Sequence, residues 1–104
     1  MTMRHLTLIC MAGISTSLLV NKMKRLIRNE NLEIAVTAMS ERAFQGYTGQ
    51  TDVLLLGPQL GHRFESLKEQ YESKGIRIDR IDPEHFGAMD AKAVLEQAFP
   101  DLSG

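Results

Sequence analysis

The residues best suited to chemistry in this chain run from Cys10 to Ser17: Cys10-Met11-Ala12-Gly13-Ile14-Ser15-Thr16-Ser17. They follow the strand-favouring run His5–Ile9 and lead into a helical pattern. A thiol at the end of a strand, followed by a small-residue loop into a helix N-terminus, faces backbone N–H groups and the positive end of the helix dipole. Both are expected to lower the thiol pKa and to make a phosphate-sized anion welcome. Gly13 lets the loop turn with its amides inward, and the hydroxyls of Ser15, Thr16 and Ser17 can donate to phosphate oxygens or cap the helix. A buried structural cysteine is the plainer reading of Cys10. Position, loop and hydroxyl cluster all point instead to a thiol that accepts or attacks a phosphoryl group. The three histidines, His5, His62 and His85, have no metal-ligand spacing and no cysteine partners, so neither a metal nor another cofactor is expected.

The elements that must hold this loop can be read in order. His5–Ile9 is the first strand, and a helix from about Ser15 to Asn29 follows, with Leu19, Met23, Leu26 and Ile27 on one face. Leu32 to Met39 alternates as a second strand, and Ser40 to Gly46 is at most a short helix with half a capping signature. Asp52–Leu56 is a continuous apolar strand halted by Gly57-Pro58, which predicts a central position covered on both faces. Leu60, Phe64, Leu67 and Tyr71 predict a helix ending at Gly75. Ile76–Ile81 is a fourth strand ending at Asp82-Pro83, and Ala91, Val94, Leu95 and Ala98 form the apolar face of a last helix. This alternation predicts an α/β fold: an open four-stranded parallel sheet with helices on both faces. Ligands of such sheets sit beyond the carboxyl ends of the strands. That edge would collect Cys10 with its loop, Gly57-Pro58-Gln59 and Asp82-Pro83-Glu84.

Composition narrows the partners. The 104 residues, 43% hydrophobic, fit one domain over 1–104. A formal net charge of -1 gives no global attraction to nucleic acid or an anionic membrane, so any anion binding must be local. Aromatic residues at 6%, with no Trp, argue against a stacking platform for single strands. One cysteine makes no internal disulfide, so the cytosol is the expected compartment. No apolar stretch approaches the roughly 20 residues needed to cross a bilayer, so no membrane insertion is expected, although the partner can be a membrane protein.

CMAGISTSLLVNKMK at Cys10–Lys24, LLLGPQ at Leu54–Gln59, and the late Ile81-Asp82 with Phe86-Gly87 resemble the IIB subunit of the sugar phosphotransferase system, lactose/cellobiose (chitobiose) class. The likeness covers nearly the whole chain in matching order. It implies a fold like that of the low-molecular-weight tyrosine phosphatases. It also implies that Cys10 accepts a phosphoryl group from a phosphohistidine on a IIA partner and passes it to a sugar held by the membrane permease IIC. In that family the loop corresponding to Met11–Ser17 cradles the phosphocysteine, and Gln59 in the Gly57-Pro58-Gln59 turn is expected as a secondary contact. Asp82 is expected as another. Where family members commonly carry Tyr-Gly, this chain has Phe86-Gly87, which removes a hydroxyl.

The alternative reading is a cysteine-dependent low-molecular-weight phosphatase. The motif of those enzymes is C-x5-R-[ST], but Thr16 occupies the arginine position here, so the bidentate guanidinium is missing. Asp82-Pro83 does match their general-acid Asp-Pro. A regulatory binding module using Cys10 as a redox sensor would need a resolving cysteine or a partner, and the chain has no second cysteine. For His62 and Arg63 solvent is the default position, and the cluster Lys22, Lys24, Arg25 and Arg28 reads first as a solvated helix face. His85 and Asp82 either touch the sugar or IIA, or cap the last helix. Met11, inside the loop, suits an apolar docking patch for IIA.

Overall fold

A computed structural model of the protein describes residues 3–11 and 14–103. Four strands, β1 (Arg4–Ile9), β2 (Ile34–Met39), β3 (Val53–Leu56) and β4 (Arg77–Arg80), form one parallel sheet in the order β2-β1-β3-β4. The helices are α1 (Ile14–Asn29), α2 (Glu41–Gln45), α3 (Phe64–Glu72), α4 (Pro83–Gly87) and α5 (Ala91–Ala98), with 3₁₀ segments at Pro58–Arg63 and Pro100–Ser103. The open parallel sheet covered on both faces is the one the sequence predicts.

β3 shows why its apolar run is continuous. Val53 and Leu55 face one core with Leu6, Leu8 and Cys10 of the β1 segment and with residues of α1 and α5. Leu54 and Leu56 face the other, with Ile9, Phe44 of α2, and Leu67 and Tyr71 of α3. Leu54, Leu55 and Leu56 are fully buried, so truncating any of them to Ala should cost about 2–5 kcal/mol. Phe44 and Tyr71 meet edge to face, with centroids 5.1 Å apart. Thr7 is buried among these apolar residues without penalty, because its hydroxyl shares a 2.8 Å hydrogen bond with that of Thr51.

Several boundaries differ from expectation for local reasons. β2 starts at Ile34 rather than Leu32 because α1 closes with a Schellman motif: Leu32 N–H donates to Ile27 O at 2.9 Å and Asn31 N–H to Arg28 O, with Asn31 at φ 52°. Leu32 and Ile27 both pack against the core, the apolar contact that accompanies this cap. The helix expected from Leu60 begins as a 3₁₀ turn kinked at Leu60 and becomes α only at Phe64. Gly75, at φ 83°, follows it in the left-handed region that favours glycine. α4 is absent from the sequence-based order, although its signal was present: Asp82 is the N-cap, Pro83 opens the helix, and Glu84 lies in the first turn. Those residues read as the end of a strand because the helix is only five residues long and carries no apolar period.

Candidate functional site

The strand order puts the switch in chain direction at β1, whose neighbours β2 and β3 lie on either side. Ligands of open α/β sheets sit beyond such a point. Cys10 is the first residue past β1, held by its N–H donating to Met39 O at 3.1 Å. From the other side, Gly57 follows β3 and donates its N–H to Ile9 O at 2.9 Å. A Cβ on Gly57 would stand 3.4 Å from Cys10 Sγ and 3.0 Å from Gln59 Oε1. Glycine therefore lets the thiol and the Gln59 amide approach the same turn. Gly57 itself has an ordinary extended backbone, so this is a matter of space and not of strain.

Cys10 is 5% exposed. Burial pushes its thiol above the ordinary value, opposed by hydrogen bonds from the Thr16 side chain and the Gly57 backbone. The expectation that loop and helix would lower the thiol pKa is thus corrected in direction: desolvation outweighs the two hydrogen bonds. A cavity of about 240 Å³ opens beside the sulfur. Met11, Thr16, Ser17, Met39 and Ser40 line it with Cys10, and no charged side chain does so among the described residues. The cavity is neutral, lined by the hydroxyl residues Thr16, Ser17 and Ser40 and by apolar side chains.

Of the expected loop residues, Met11 lies at the cavity and is 62% exposed, and Thr16 and Ser17 line it. Ile14 and Ser15 open α1, while Ala12 and Gly13 lie outside the described residues. Gln59 Oε1 and Cys10 Sγ both approach Gly57, while Gln59 is not among the residues lining the thiol cavity. Asp82 is not at that cavity. It caps α4, its Oδ1 accepting from Glu84 N–H at 2.8 Å, and its own N–H donates to Gln97 Oε1. It lines a second cavity of about 600 Å³ beyond β4, with Pro58, Asp79, Arg80, His85 and Gln97. Gln97 stitches this edge together by also donating to Asp79 Oδ2 and Arg80 O. The Nδ1 atom of His85 is buried without a hydrogen-bond partner.

His62 is exposed, whereas Arg63 is taken up by Glu41 in a bidentate pair of 3.1 and 2.8 Å that ties the end of the 3₁₀ segment to the start of α2. The Arg63 hydrogen bond holds the Glu41 carboxyl below its usual range. The Lys22, Lys24, Arg25 and Arg28 side chains are all exposed. Phe86, at the position where a hydroxyl was noted as missing, packs against the core. Two features escaped the sequence. The Arg63–Glu41 pair joins segments 22 residues apart. Ser40 sits at the thiol cavity because Ile9 pairs with Met39 in register, which makes Ser40 the lateral neighbour of Cys10.

Among the described residues no helix is long and apolar enough to cross a membrane, and no group of His, Cys, Asp or Glu is arranged to hold a metal ion. Residues 6–97 match the model of the family described as "PTS system, Lactose/Cellobiose specific IIB subunit". The chain is 31% identical over 96 residues to the oligo-beta-mannoside-specific EIIB component of Bacillus subtilis, covering 92% of this chain and 93% of that protein. It is 33% identical over 98 residues to the cellobiose-specific EIIB component of Lactococcus lactis, covering 89% and 91%. The solution structure of a cellobiose-specific phosphotransferase IIB component from Borrelia burgdorferi superposes with a TM-score of 0.78 at 30% identity, covering 95% of this chain and 91% of that one. With four parallel strands in the same fold and a free thiol at the switch point, the chain belongs to the lactose/cellobiose-specific IIB subunits of the phosphotransferase system, a family of phosphotransferases.

Proposed function

We propose that Cys10 is the phosphoryl carrier of this subunit, loaded from a phosphohistidine on IIA and unloaded onto a β-linked oligosaccharide, such as cellobiose, chitobiose or lactose, bound by the IIC permease. The observation that carries the reading is the position of the thiol: buried beside an uncharged, hydroxyl-lined cavity, with the Thr16 hydroxyl and Gly57 backbone on its sulfur. The names of the relatives, cellobiose-specific and oligo-beta-mannoside-specific, support the sugar class. The protein acts at the cytoplasmic face of the permease and docks transiently to both partners, with Met11 and the half-exposed Leu18 beside the thiol loop offering apolar contact.

Two balanced steps suffice. In loading, a phosphorus–sulfur bond forms as the phosphorus–nitrogen bond to the imidazole breaks, and the thiol proton leaves with the imidazole nitrogen. A thiol held protonated by burial suits this step, because the departing imidazole is itself the base. In unloading, a sugar hydroxyl attacks phosphorus, the phosphorus–sulfur bond breaks, and the hydroxyl proton returns to sulfur. Oriented donors stabilise the equatorial oxygens in both directions. The amides of Met11–Ser17 and the Gln59 side chain are the donors in this reading. Thr16 in place of a loop arginine weighs against the phosphatase alternative.

The test is intact-mass analysis after incubation with phosphoenolpyruvate, enzyme I, the histidine phosphocarrier and a lactose/cellobiose-type IIA. Wild type should gain one phosphoryl group only when IIA is present, and Cys10→Ser should gain none. No gain by wild type, together with hydrolysis of an aryl phosphate, would establish the phosphatase instead.

A further inference from the structure

We infer that the Ser40 hydroxyl is a direct contact of the phosphoryl group on Cys10, reaching it from the end of β2. The inference rests on Cys10 being the carrier and adds a residue from a different strand. Three observations converge on it. Ser40 follows β2, whose Met39 pairs with Ile9, so the parallel ladder carries Ser40 level with Cys10 on the adjacent strand. Its side chain lines the same cavity as Cys10, Thr16 and Ser17.

The third observation concerns its hydrogen. Ser40 Oγ accepts a hydrogen bond from Ala43 N–H at 3.1 Å, the N-cap bond of α2. A hydroxyl has one donor and two acceptor sites, so accepting from Ala43 fixes the oxygen and leaves its proton to donate elsewhere. Thr16 reaches the sulfur from α1, a different element. A phosphoryl group on Sγ would then meet hydroxyl donors from two separate elements, α1 and the end of β2. The α2 cap thus holds a donor in place before the group arrives, which removes the entropy of orienting it.

The experiment measures single-turnover transfer from phosphorylated IIA to Cys10 by quenched-flow mass analysis, with thermal unfolding recorded on each variant. Ser40→Ala loses both cap and donor, Ser40→Asp keeps a cap acceptor but replaces the donor with a negative charge, and Ser40→Thr keeps both. Ser40→Ala should lower the maximal rate about tenfold, the value of one hydrogen bond to a charged group, with little change in the IIA concentration for half-maximal rate. Ser40→Asp should be slower still while unfolding at the wild-type temperature, and Ser40→Thr should restore the rate. If Ser40→Asp matches wild type, or Ser40→Ala transfers at the normal rate, the contact is refuted and Ser40 is a helix cap only. Failure of wild type to load Cys10 removes the carrier reading and this contact together, and is told apart from the other outcomes by the wild-type arm alone.

Discussion

The cavity beside Cys10 is lined by hydroxyls and apolar carbon, whereas the one beyond β4 gathers Asp79, Arg80, Asp82 and His85. Both lie along the same carboxyl edge, and Gly57-Pro58 runs between them: Gly57 abuts the thiol and Pro58 lines the second cavity. In the charged cavity the polar groups are largely occupied with one another. Asp82 caps α4, Gln97 ties Asp79 to the end of β4, and the Arg80 guanidinium lies 4.7 Å from the centre of the Phe64 ring. In the neutral cavity the Thr16 hydroxyl is turned to the Cys10 sulfur, and the Ser40 hydroxyl, whose oxygen accepts from Ala43 N–H, keeps its proton to donate. If Cys10 is the carrier proposed above, charge density is a poor guide to the site, and the placement of donors around one thiol is a better one.

The sharpest way to break this contrast is to put a charge into the neutral cavity. Thr16→Arg should stabilise the phosphorylated thiol by about 1.5–3 kcal/mol and so slow onward transfer to sugar by roughly 10- to 100-fold. Hydrolysis of phosphocysteine should persist or increase. Sugar phosphorylation in reconstituted membranes and phosphocysteine decay in solution measure the two separately; unchanged sugar transfer would show that neutrality is incidental.

A smaller effect comes from the buried thiol itself. Its pKa is raised in the folded chain, so the protein binds more protons than the unfolded chain as pH climbs past the ordinary thiol range. The stability this contributes is fully present below the unfolded thiol's pKa and is lost as pH rises through the folded value. The rate of alkylation by iodoacetamide should reach its half-maximum at higher pH in native than in urea-unfolded protein. Cys10→Ser should remove the matching alkaline loss of stability in denaturant titrations. An alkylation midpoint at or below that of the unfolded chain would mean that the loop and helix outweigh burial after all.

The smallest effect is expected in the charged cavity. Asp82→Ala should cost about 0.5–2 kcal/mol through the lost N-cap, and Asp82→Asn, which still caps, much less. Neither should alter transfer through Cys10 by more than the change in folded fraction. A loss of transfer in Asp82→Asn at unchanged stability would join the two cavities into one site.

The same contrast explains what was legible in the sequence. Leu54–Leu56 predicted a strand buried on both faces because hydrophobic pattern is a local property. Cys10 and the hydroxyls after it could be found for the same reason, since they are contiguous. Ser40 could not, because its place beside the thiol depends on β2 lying next to β1 in a particular register, and no residue of β2 announces its neighbour. Asp82 was grouped with the thiol because both end strands of one sheet. The order β2-β1-β3-β4 instead sets β3 between them, and the Asp82-Pro83 pair opens a short helix. The thiol's ionisation was misjudged because burial is a sum over the whole fold, while the loop and helix that oppose it are visible in eight residues.

The depth of Cys10 has one more consequence. Peroxide attacks the thiolate and needs a path to it. A sulfenic acid formed at Cys10 would find no second cysteine in the chain to condense with, leaving further, irreversible oxidation open. A cysteine this buried, with its thiol pKa pushed up by burial, is slow to take that first step. In the carrier proposed above, the burial that holds the thiol for its partner's imidazole would also give the idle protein its chemical shelf life.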